Sequence, residues 1–286
     1  MSWREIIYQY DGSFEGILCC IFESYTQKEL PTAIVCDEEL ESCLFEIRRI
    51  TTDREHAGRI YRSLRKISPD VGPFLRRVYL TALAEKELLI YRFVAKLYRE
   101  GAPLLRRFTD NDYEPLLKAV RHMNGEAHLL KGFIRFSEFD GVLASEITPK
   151  NRVLPLLRSH FCDRYRNEAF FIYDKTHAEA LLYSRGVSRI VPLEAFSMAP
   201  PSAEETTYRL LWRRFYETIA IRERENPRLR MSNMPKRFWE NMTEFQTDGS
   251  LIPPPEGSPA DAALPAAPAA KPAPVTPSIR GPFLPV

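Results

Sequence analysis

Residues 132–149, GFIRFSEFDGVLASEITP, decide the predicted fold. Two apolar runs flank Asp140-Gly141, a dipeptide that favours the tight turn of a β-hairpin. Residues 170–184, FFIYDKTHAEALLYS, repeat this pattern, and a helix is predicted between the two stretches at about 153–165. A small antiparallel sheet built from two hairpins, with mainly helical flanks, is therefore expected, and the predicted fold class is α+β.

Shorter signals outside these stretches predict the remaining elements. Residues 6–10, IIYQY, are expected to form a strand that stops at Asp11-Gly12, and residues 43–50 another strand. Apolar spacing predicts a helix in FEGILCCIFESYTQ at 14–27. Further helices are predicted at about 56–67, 73–84, 86–99, 112–123 and 204–224. The expected buried stripe of the last helix consists of Tyr208, Leu211, Phe215 and Ile219.

The composition changes near residue 250, where the folded body is expected to end. Eleven prolines and eight alanines occur between Pro253 and Val286, with almost no charge. Such a segment cannot bury enough apolar surface to fold, so residues 250–286 are predicted to be a disordered tail. Residues 1–248 are predicted to form a single α+β domain, with a helical part at 1–125, a sheet-containing part at 126–200 and a basic helical segment at 204–242.

Charge and cysteine usage argue against several classes of protein. The formal net charge is only +2, so no overall field marks a nucleic-acid binder. Five cysteines, an odd number without a CxxC pair, fit reduced thiols better than a disulfide framework or a zinc ribbon. No apolar run is long enough for a membrane helix. A cytoplasmic protein without membrane contact is therefore expected.

Recognisable motifs for cofactors, metals and catalysis are missing from the sequence. The Gly-rich phosphate loops, the GxSxG nucleophile motif and the usual spacings of metal-binding His and Cys all fail to match. No cofactor or metal is expected, and whether the chain is an enzyme stays open. Asp11, Glu15 and His160 are weak catalytic candidates. Asp11 lies at a strand-to-helix junction, where it or Ser13 could equally cap the helix.

The strongest local signal is a basic stretch near the end of the predicted domain. Nine cations and three acids between residues 206 and 239 give a local charge of +6, against +2 for the whole chain. Guanidinium groups bind phosphate oxygens and aromatic rings offer flat faces to bases, so this mixture favours nucleic-acid contact. A solvated helix face with its rings in the core is the alternative interpretation. The predicted contact residues are Arg224, Arg228, Arg230, Lys236, Arg237 and Trp239, with Arg135 on a neighbouring strand extending the surface.

Five blocks of the sequence together resemble a bacterial family of DNA-metabolism or DNA-repair proteins whose activity is undefined. The blocks are YDGSFEGILCCIFESY, EAHLLKGFIRF, NRVLPLLRSHFCDRY, FFIYDKTHAEALLY and LLWRRFYETIAIRERENPRLRMSNMPKRFW. The resemblance covers about residues 6–240. It implies a gene neighbour that encodes a radical-SAM protein similar to DNA-repair enzymes. It also implies a relation to a domain fused ahead of some uracil-DNA-glycosylase-like domains, although base excision is not expected of the residues present here.

Residues and resemblance together favour an accessory protein of DNA repair or DNA metabolism. We expect it to bind DNA through its basic C-terminal surface, and the resemblance implies a radical-SAM partner that supplies the chemistry. Two alternatives stay open. One is a protein-interaction subunit that does not bind DNA, and the other is an enzyme of unrecognised type that acts on damaged DNA.

Overall fold

A computed structural model describes residues 3–36, 46–194, 196, 201–219 and 226–245. Contacts divide the chain into two compact units, Met1–Gln246 and Thr247–Val286. The second unit, and with it the predicted tail at 250–286, lies outside the described residues. The following account therefore concerns the first unit.

Helices and strands are mixed along the first unit, and the predicted α+β class is confirmed. The strands are β1 Arg4–Tyr10, β2 Glu29–Cys36, β3 Ile47–Arg49, β4 Ser137–Phe139, β5 Val142–Ile147, β6 Ala169–Asp174, β7 Glu179–Ser184 and β8 Val187–Pro192. The α-helices are α1 Phe14–Gln27, α2 Arg54–Ile67, α3 Val71–Tyr79, α4 Lys86–Glu100, α5 Glu114–Phe133, α6 Leu154–Arg164, α7 Ala203–Thr218 and α8 Pro227–Asn233. Short 3₁₀ helices cover Ala102–Arg106, Lys236–Asn241 and Thr243–Phe245. None of the described helices combines the length and apolarity needed to cross a membrane.

A three-stranded parallel sheet with the order β2-β1-β3 organises the N-terminal half. Ile6, Tyr8 and Tyr10 alternate along the central strand β1 and are buried, because every second side chain of a strand points to the same face. The crossover to β2 is α1, whose first turn is capped by Ser13 through a 2.9 Å hydrogen bond from the Gly16 amide. The predicted strand at 6–10 and the predicted helix at 14–27 are confirmed.

The edge strands of this sheet were harder to predict than its centre. Pro31 interrupts the pattern of β2, and the structure tolerates it because β2 lies at the edge, where one row of amides has no strand partner. The sequence pattern therefore does not predict β2. Of the predicted strand at 43–50, only Ile47–Arg49 is a strand among the described residues, since residues 43–45 lie outside them.

The predicted helices of the N-terminal half are present with shifted ends. The helices predicted at 56–67 and 86–99 correspond to α2 and α4. The helix predicted at 73–84 ends earlier, at Tyr79, and the helix predicted at 112–123 continues to Phe133. The shortening of α3 is about one turn, which tertiary contacts can add or remove. The ten-residue extension of α5 is larger, and its added turns pack into the apolar core of the second half.

A five-stranded sheet with the order β4-β5-β6-β7-β8 forms the second half. The hairpin β4–β5 turns at Asp140 and Gly141, whose φ angles of 48° and 81° are those of a two-residue type I′ turn. The second predicted hairpin is β6–β7, and β8 adds a further antiparallel strand. Both predicted hairpins are confirmed, but β6 runs parallel to β5 because α6 returns the chain to the same end of the sheet. The sheet is therefore mixed.

The apolar core of the second half lies between this sheet and the helices α5 and α6. It includes Leu130 from α5, Phe161 from α6 and Phe170 from β6. Phe238 and Met242, which come from the last described residues, are buried in the same cluster. Burying a side chain of this kind stabilises the fold by about 2–3 kcal/mol, so the end of the unit is anchored in the core.

Helix α7 contradicts the prediction of a buried stripe. The helix itself is confirmed over Ala203–Thr218, while residues 220–224 of the predicted range lie outside the described residues. Its expected core residues are exposed by 41–58%; these are Tyr208, Leu211, Phe215 and Ile219. Helical periodicity identifies an apolar face but does not show whether another element covers it.

Candidate nucleic-acid interface

Residues 226–245, the C-terminal segment, hold most of the predicted contact residues. Asn226 caps α8 by accepting a 3.0 Å hydrogen bond from the Leu229 amide, and Pro227 occupies the first helical position, where its missing N–H costs nothing. The two 3₁₀ helices follow; the first contains the buried Phe238, and the buried Met242 lies between them. The segment therefore presents α8 at the surface while its second half is fixed in the core.

Arg237 is a structural cation. Its guanidinium lies 3.0 Å from the Glu126 carboxylate, whose side chain is only 1% exposed. Glu126 also accepts hydrogen bonds from the amides of Lys150 and Asn151, both at 2.9 Å, and from the Asn151 side chain at 2.5 Å. The buried carboxylate is thus satisfied by four donors from two regions of the chain. Arg237 joins the C-terminal segment to α5, and the Glu126 carboxylate neutralises its charge.

Arg135 has a similar structural role, at a second buried acid. Its guanidinium forms two hydrogen bonds to Glu244, at 2.7 and 3.2 Å, and lies 5.4 Å from the centre of the Trp212 ring. The Trp212 indole N–H donates to the same carboxylate at 3.1 Å. Arg135 lies in the connection between α5 and β4, so its predicted place on a strand is wrong. α5 continues to Phe133, so the first residues of the predicted strand are helical and the strand begins only at Ser137.

The remaining predicted cations have a different environment. Arg228, Arg230 and Lys236 are exposed, and none forms an ion pair with a residue that the structure describes. Arg230 lies 5.5 Å from the centre of the Trp239 ring, and Lys236 lies 5.9 Å from it. These cation–π contacts orient the side chains without neutralising them. Arg224 lies outside the described residues.

Trp239 belongs to a row of rings that connects the C-terminal segment with α7. It stacks on Phe245 at a centroid distance of 4.4 Å, and its indole N–H donates to the Met234 carbonyl at 2.9 Å. Phe245 in turn contacts Tyr216 of α7 edge-on at 5.8 Å. Trp239 is therefore partly buried and holds α8 against the rest of the segment, and the exposed cations of α8 are continuous with the surface of α7.

Helix α7 is fastened to the sheet at its first half. Ser202 caps it by accepting from the Glu205 amide at 3.1 Å. Arg209 pairs with Glu205 at 3.0 Å and donates to the Ser137 hydroxyl of β4 at 2.6 Å. Arg214, one turn further, is exposed. One side of the helix therefore contacts β4 through Arg209, and the other side exposes apolar residues and the cation Arg214.

A polar cavity of about 130 Å³ lies where α7, the sheet and the C-terminal segment meet. Its cations already have acidic partners, as Lys175 does with Glu146 at 3.6 Å. Because its charges are nearly balanced, the cavity offers hydrogen-bonding groups more than net charge. The lining residues are Arg135, Ser137, Glu146, Lys175, Arg209, Glu240, Asn241 and Thr243.

The three weak catalytic candidates are not brought together. Asp11 accepts hydrogen bonds from the Ser13 amide and hydroxyl at 3.0 and 2.7 Å, and Glu15 lies 3.5 Å from Arg76. Burial raises the pKa of Asp11, but these hydrogen bonds outweigh it and hold that pKa below its ordinary value. His160 lies on α6 beside the second core, where burial lowers its pKa. Asp11 therefore supports the capping residue Ser13, Glu15 forms a surface ion pair, and His160 lies apart from both at the edge of the second core.

The prediction missed a histidine–carboxylate pair. Asp174 is fully buried at the end of β6 and accepts from the amides of Thr176 and His177 at 3.0 and 3.2 Å, while His177 Nδ1 lies 2.7 Å from its other oxygen. These contacts close the turn between β6 and β7. Within the described ranges, no group of three or more His, Cys, Asp or Glu side chains is arranged to hold a metal ion.

Other structurally decisive residues missed by the prediction are the buried acids Glu126 and Glu244. A local signal existed for Glu126, because it lies next to the apolar stripe that contains Met123, Ala127 and Leu130 of α5. A carboxylate at such a position requires a buried cation or several donors. The sequence could not indicate which of the forty lysines and arginines would be that partner.

Comparison with known proteins gives a family but no activity. The family model described as a domain of unknown function, DUF4130, matches residues 84–244, more than half of the chain. The chain therefore belongs to the DUF4130 family. No curated protein and no solved structure matches it. The matched range begins just before α4 and contains the second sheet, α7 and nearly all of the C-terminal segment, so the candidate interface belongs to the family domain.

Proposed function

We propose that this DUF4130 protein binds nucleic acid through the exposed cations of α8 and its flank, as an accessory factor of DNA metabolism or DNA repair. The observation that carries the proposal is the environment of Arg228, Arg230 and Lys236, which are exposed and form no ion pair with a described residue. They lie on α8 and directly after it, in a segment that the buried Phe238 and Met242 anchor in the core. A rigid support for free cations suits contact with phosphates.

The division of labour among the cations refines the sequence-based expectation. Arg135 and Arg237 neutralise buried acids, so we assign them to holding the surface in place. The phosphate contacts are assigned to Arg228, Arg230 and Lys236, because guanidinium and ammonium groups gain most where no internal acid competes. Three such contacts give a moderate dependence on salt, with affinity falling about 20- to 40-fold between about 50 and 200 mM monovalent salt.

The decisive experiment is a fluorescence-anisotropy titration of the full chain with labelled DNA at these two salt concentrations. The double variant Arg228→Ala/Lys236→Ala should weaken binding about tenfold at the lower concentration and reduce the magnitude of the salt slope by about 1.5–2. Arg65→Ala/Lys66→Ala is the matched control, because these cations are exposed on α2, outside the family domain. Equal effects of the two double variants, or no binding by the wild type, would refute the proposal.

The proposed partner is a radical-SAM protein that carries out the chemistry on the bound nucleic acid. This part of the proposal is supported by the sequence resemblance described above and by the lack of a recognisable catalytic motif in the sequence. Mixing the two purified proteins and measuring their elution by size-exclusion chromatography tests it directly. Co-elution as a complex is expected, and separate elution at micromolar concentration, with or without DNA, would remove the partner from the proposal.

A further inference from the structure

We infer that the preferred ligand of this surface is single-stranded nucleic acid, whose bases stack on the exposed side of α7. This inference deepens the proposed function and rests on it. The α7 face, as it is named from here on, consists of Tyr208, Leu211, Trp212, Phe215 and Ile219.

The α7 face is apolar, aromatic and open. Each of its residues lies three or four positions from another member of the set, which places them in one stripe of the helix. Tyr208, Trp212 and Phe215 are 51%, 40% and 53% exposed, and the last two rings lie 5.7 Å apart. Tyr208 and Phe215 are separated by about 10 Å along the helix axis. Rings at this spacing can contact more than one base of an extended strand.

Two contacts fix the orientation of the Trp212 ring, which favours stacking of a base on its exposed side. Its indole N–H donates to the buried carboxylate of Glu244, and one side of its ring lies against the guanidinium of Arg135. The ring therefore loses little conformational freedom when a base covers its open side. The bidentate contact between Arg135 and Glu244 fixes both supports, so the two act as positioning residues for the α7 face.

Two exposed cations flank the aromatic stripe, and they favour an anionic ligand. Arg214 is exposed next to Phe215, and the ring row through Tyr216 and Phe245 leads to Arg230 on α8. A single strand combines flat apolar bases with a charged backbone, so it matches both features of the surface. A duplex already stacks its bases internally and offers only their edges, so it should bind through its phosphates alone.

The test compares oligo(dT) of about 12 nucleotides with a duplex of the same length, using the full chain. In Tyr208→Leu/Phe215→Leu the apolar surface is retained and the rings are removed. This variant should bind the single strand at least tenfold more weakly, since base stacking contributes about one to two powers of ten per base. Its duplex affinity should change less than twofold. Arg228→Ala/Lys236→Ala should instead weaken both ligands and reduce the magnitude of the salt slope.

The outcomes separate this inference from the proposed function. No binding of either DNA by the wild type refutes both. The stacking inference alone is refuted if the wild type binds single strand and duplex with equal affinity, the leucine variant does not change this affinity, and Arg228→Ala/Lys236→Ala weakens it. A third outcome concerns the oligomeric state. If the wild type sediments as a dimer, and Tyr208→Ala/Phe215→Ala dissociates this dimer while the leucine variant does not, a second copy of the chain occupies the α7 face and the stacking inference is refuted. Unchanged melting temperatures verify that the variants are folded.

Discussion

The helices α1 and α7 both carry apolar residues at intervals of three and four positions, but α1 is apolar over most of its surface and α7 is more polar, and their environments are opposite. Phe14 and Leu18 of α1 are 4% and 2% exposed, whereas Tyr208 and Phe215 of α7 are more than half exposed. The difference lies in their neighbours, because α1 crosses between two strands of a parallel sheet and also packs on α2. Among the described residues, α7 is in contact with Ser137 of β4 and with the end of the C-terminal segment, and its apolar face stays exposed. Apolar periodicity therefore identifies the side of a helix that seeks a partner, and the rest of the fold determines whether the partner is internal.

The two halves also differ in how their last elements are held. Apolar packing holds the N-terminal sheet together, and its buried acid Glu29 pairs with Arg48 of the same sheet at 2.7 Å. The C-terminal segment adds two buried acids, Glu126 and Glu244, each paired with an arginine distant in sequence. In the C-terminal segment charge thus joins elements that are distant in sequence, whereas the cations of α8 and its flank stay exposed.

The largest effect is expected when the charge-based anchor is broken. Glu126→Ala removes the acceptor of four donors and leaves Arg237 and Asn151 without their partner, which should lower the free energy of unfolding by about 3–5 kcal/mol. Urea unfolding followed by circular dichroism measures this change. Glu114→Ala is the matched control on the same helix, because its exposed pair with Lys118 should be worth less than about 1 kcal/mol. A similar decrease in the free energy of unfolding in both variants would show that the buried pair of Glu126 and Arg237 contributes no more to stability than an exposed ion pair.

The different burial of α1 and α7 can be tested with one substitution in each helix. Leu18→Ala should lower the free energy of unfolding by about 3 kcal/mol, because it opens a cavity in a close-packed core. Leu211→Ala should change it by less than about 0.5 kcal/mol, since this residue is 41% exposed. The same urea experiment measures both. A loss of about 2 kcal/mol or more in Leu211→Ala would mean that α7 is covered in solution.

A smaller effect should distinguish holding cations from free ones. Arg135→Ala leaves the buried Glu244 without its guanidinium and should cost about 2 kcal/mol, reduced from the fully buried case because Arg135 is partly exposed. Arg228→Ala removes an exposed cation and should be neutral within about 0.5 kcal/mol. Thermal unfolding of the two variants in parallel tests the division. Equal stabilities would remove Arg135 from its positioning role.

Several features of the fold and the site could be predicted because their signals are local. The turn at Asp140-Gly141 requires two positive φ angles that few residue pairs accept, and the hairpin follows from it. The basic character of residues 206–239 is likewise a property of the sequence alone. By contrast, β2 was not predicted, since Pro31 weakens its pattern and only its edge position makes that proline acceptable.

Local sequence signals were enough to predict most helices, both hairpins and the cluster of cations and rings near the C-terminus. Which of the described cations pair with an acid follows from the folded chain, because Arg237 contacts Glu126 and Arg135 contacts Glu244 across more than one hundred residues. The tertiary structure also decided that the apolar stripe of α7 stays exposed. The physical reason is the range of the interactions, since turns, caps and periodicity act within a few residues, whereas burial and ion pairing depend on elements that meet only in the folded chain.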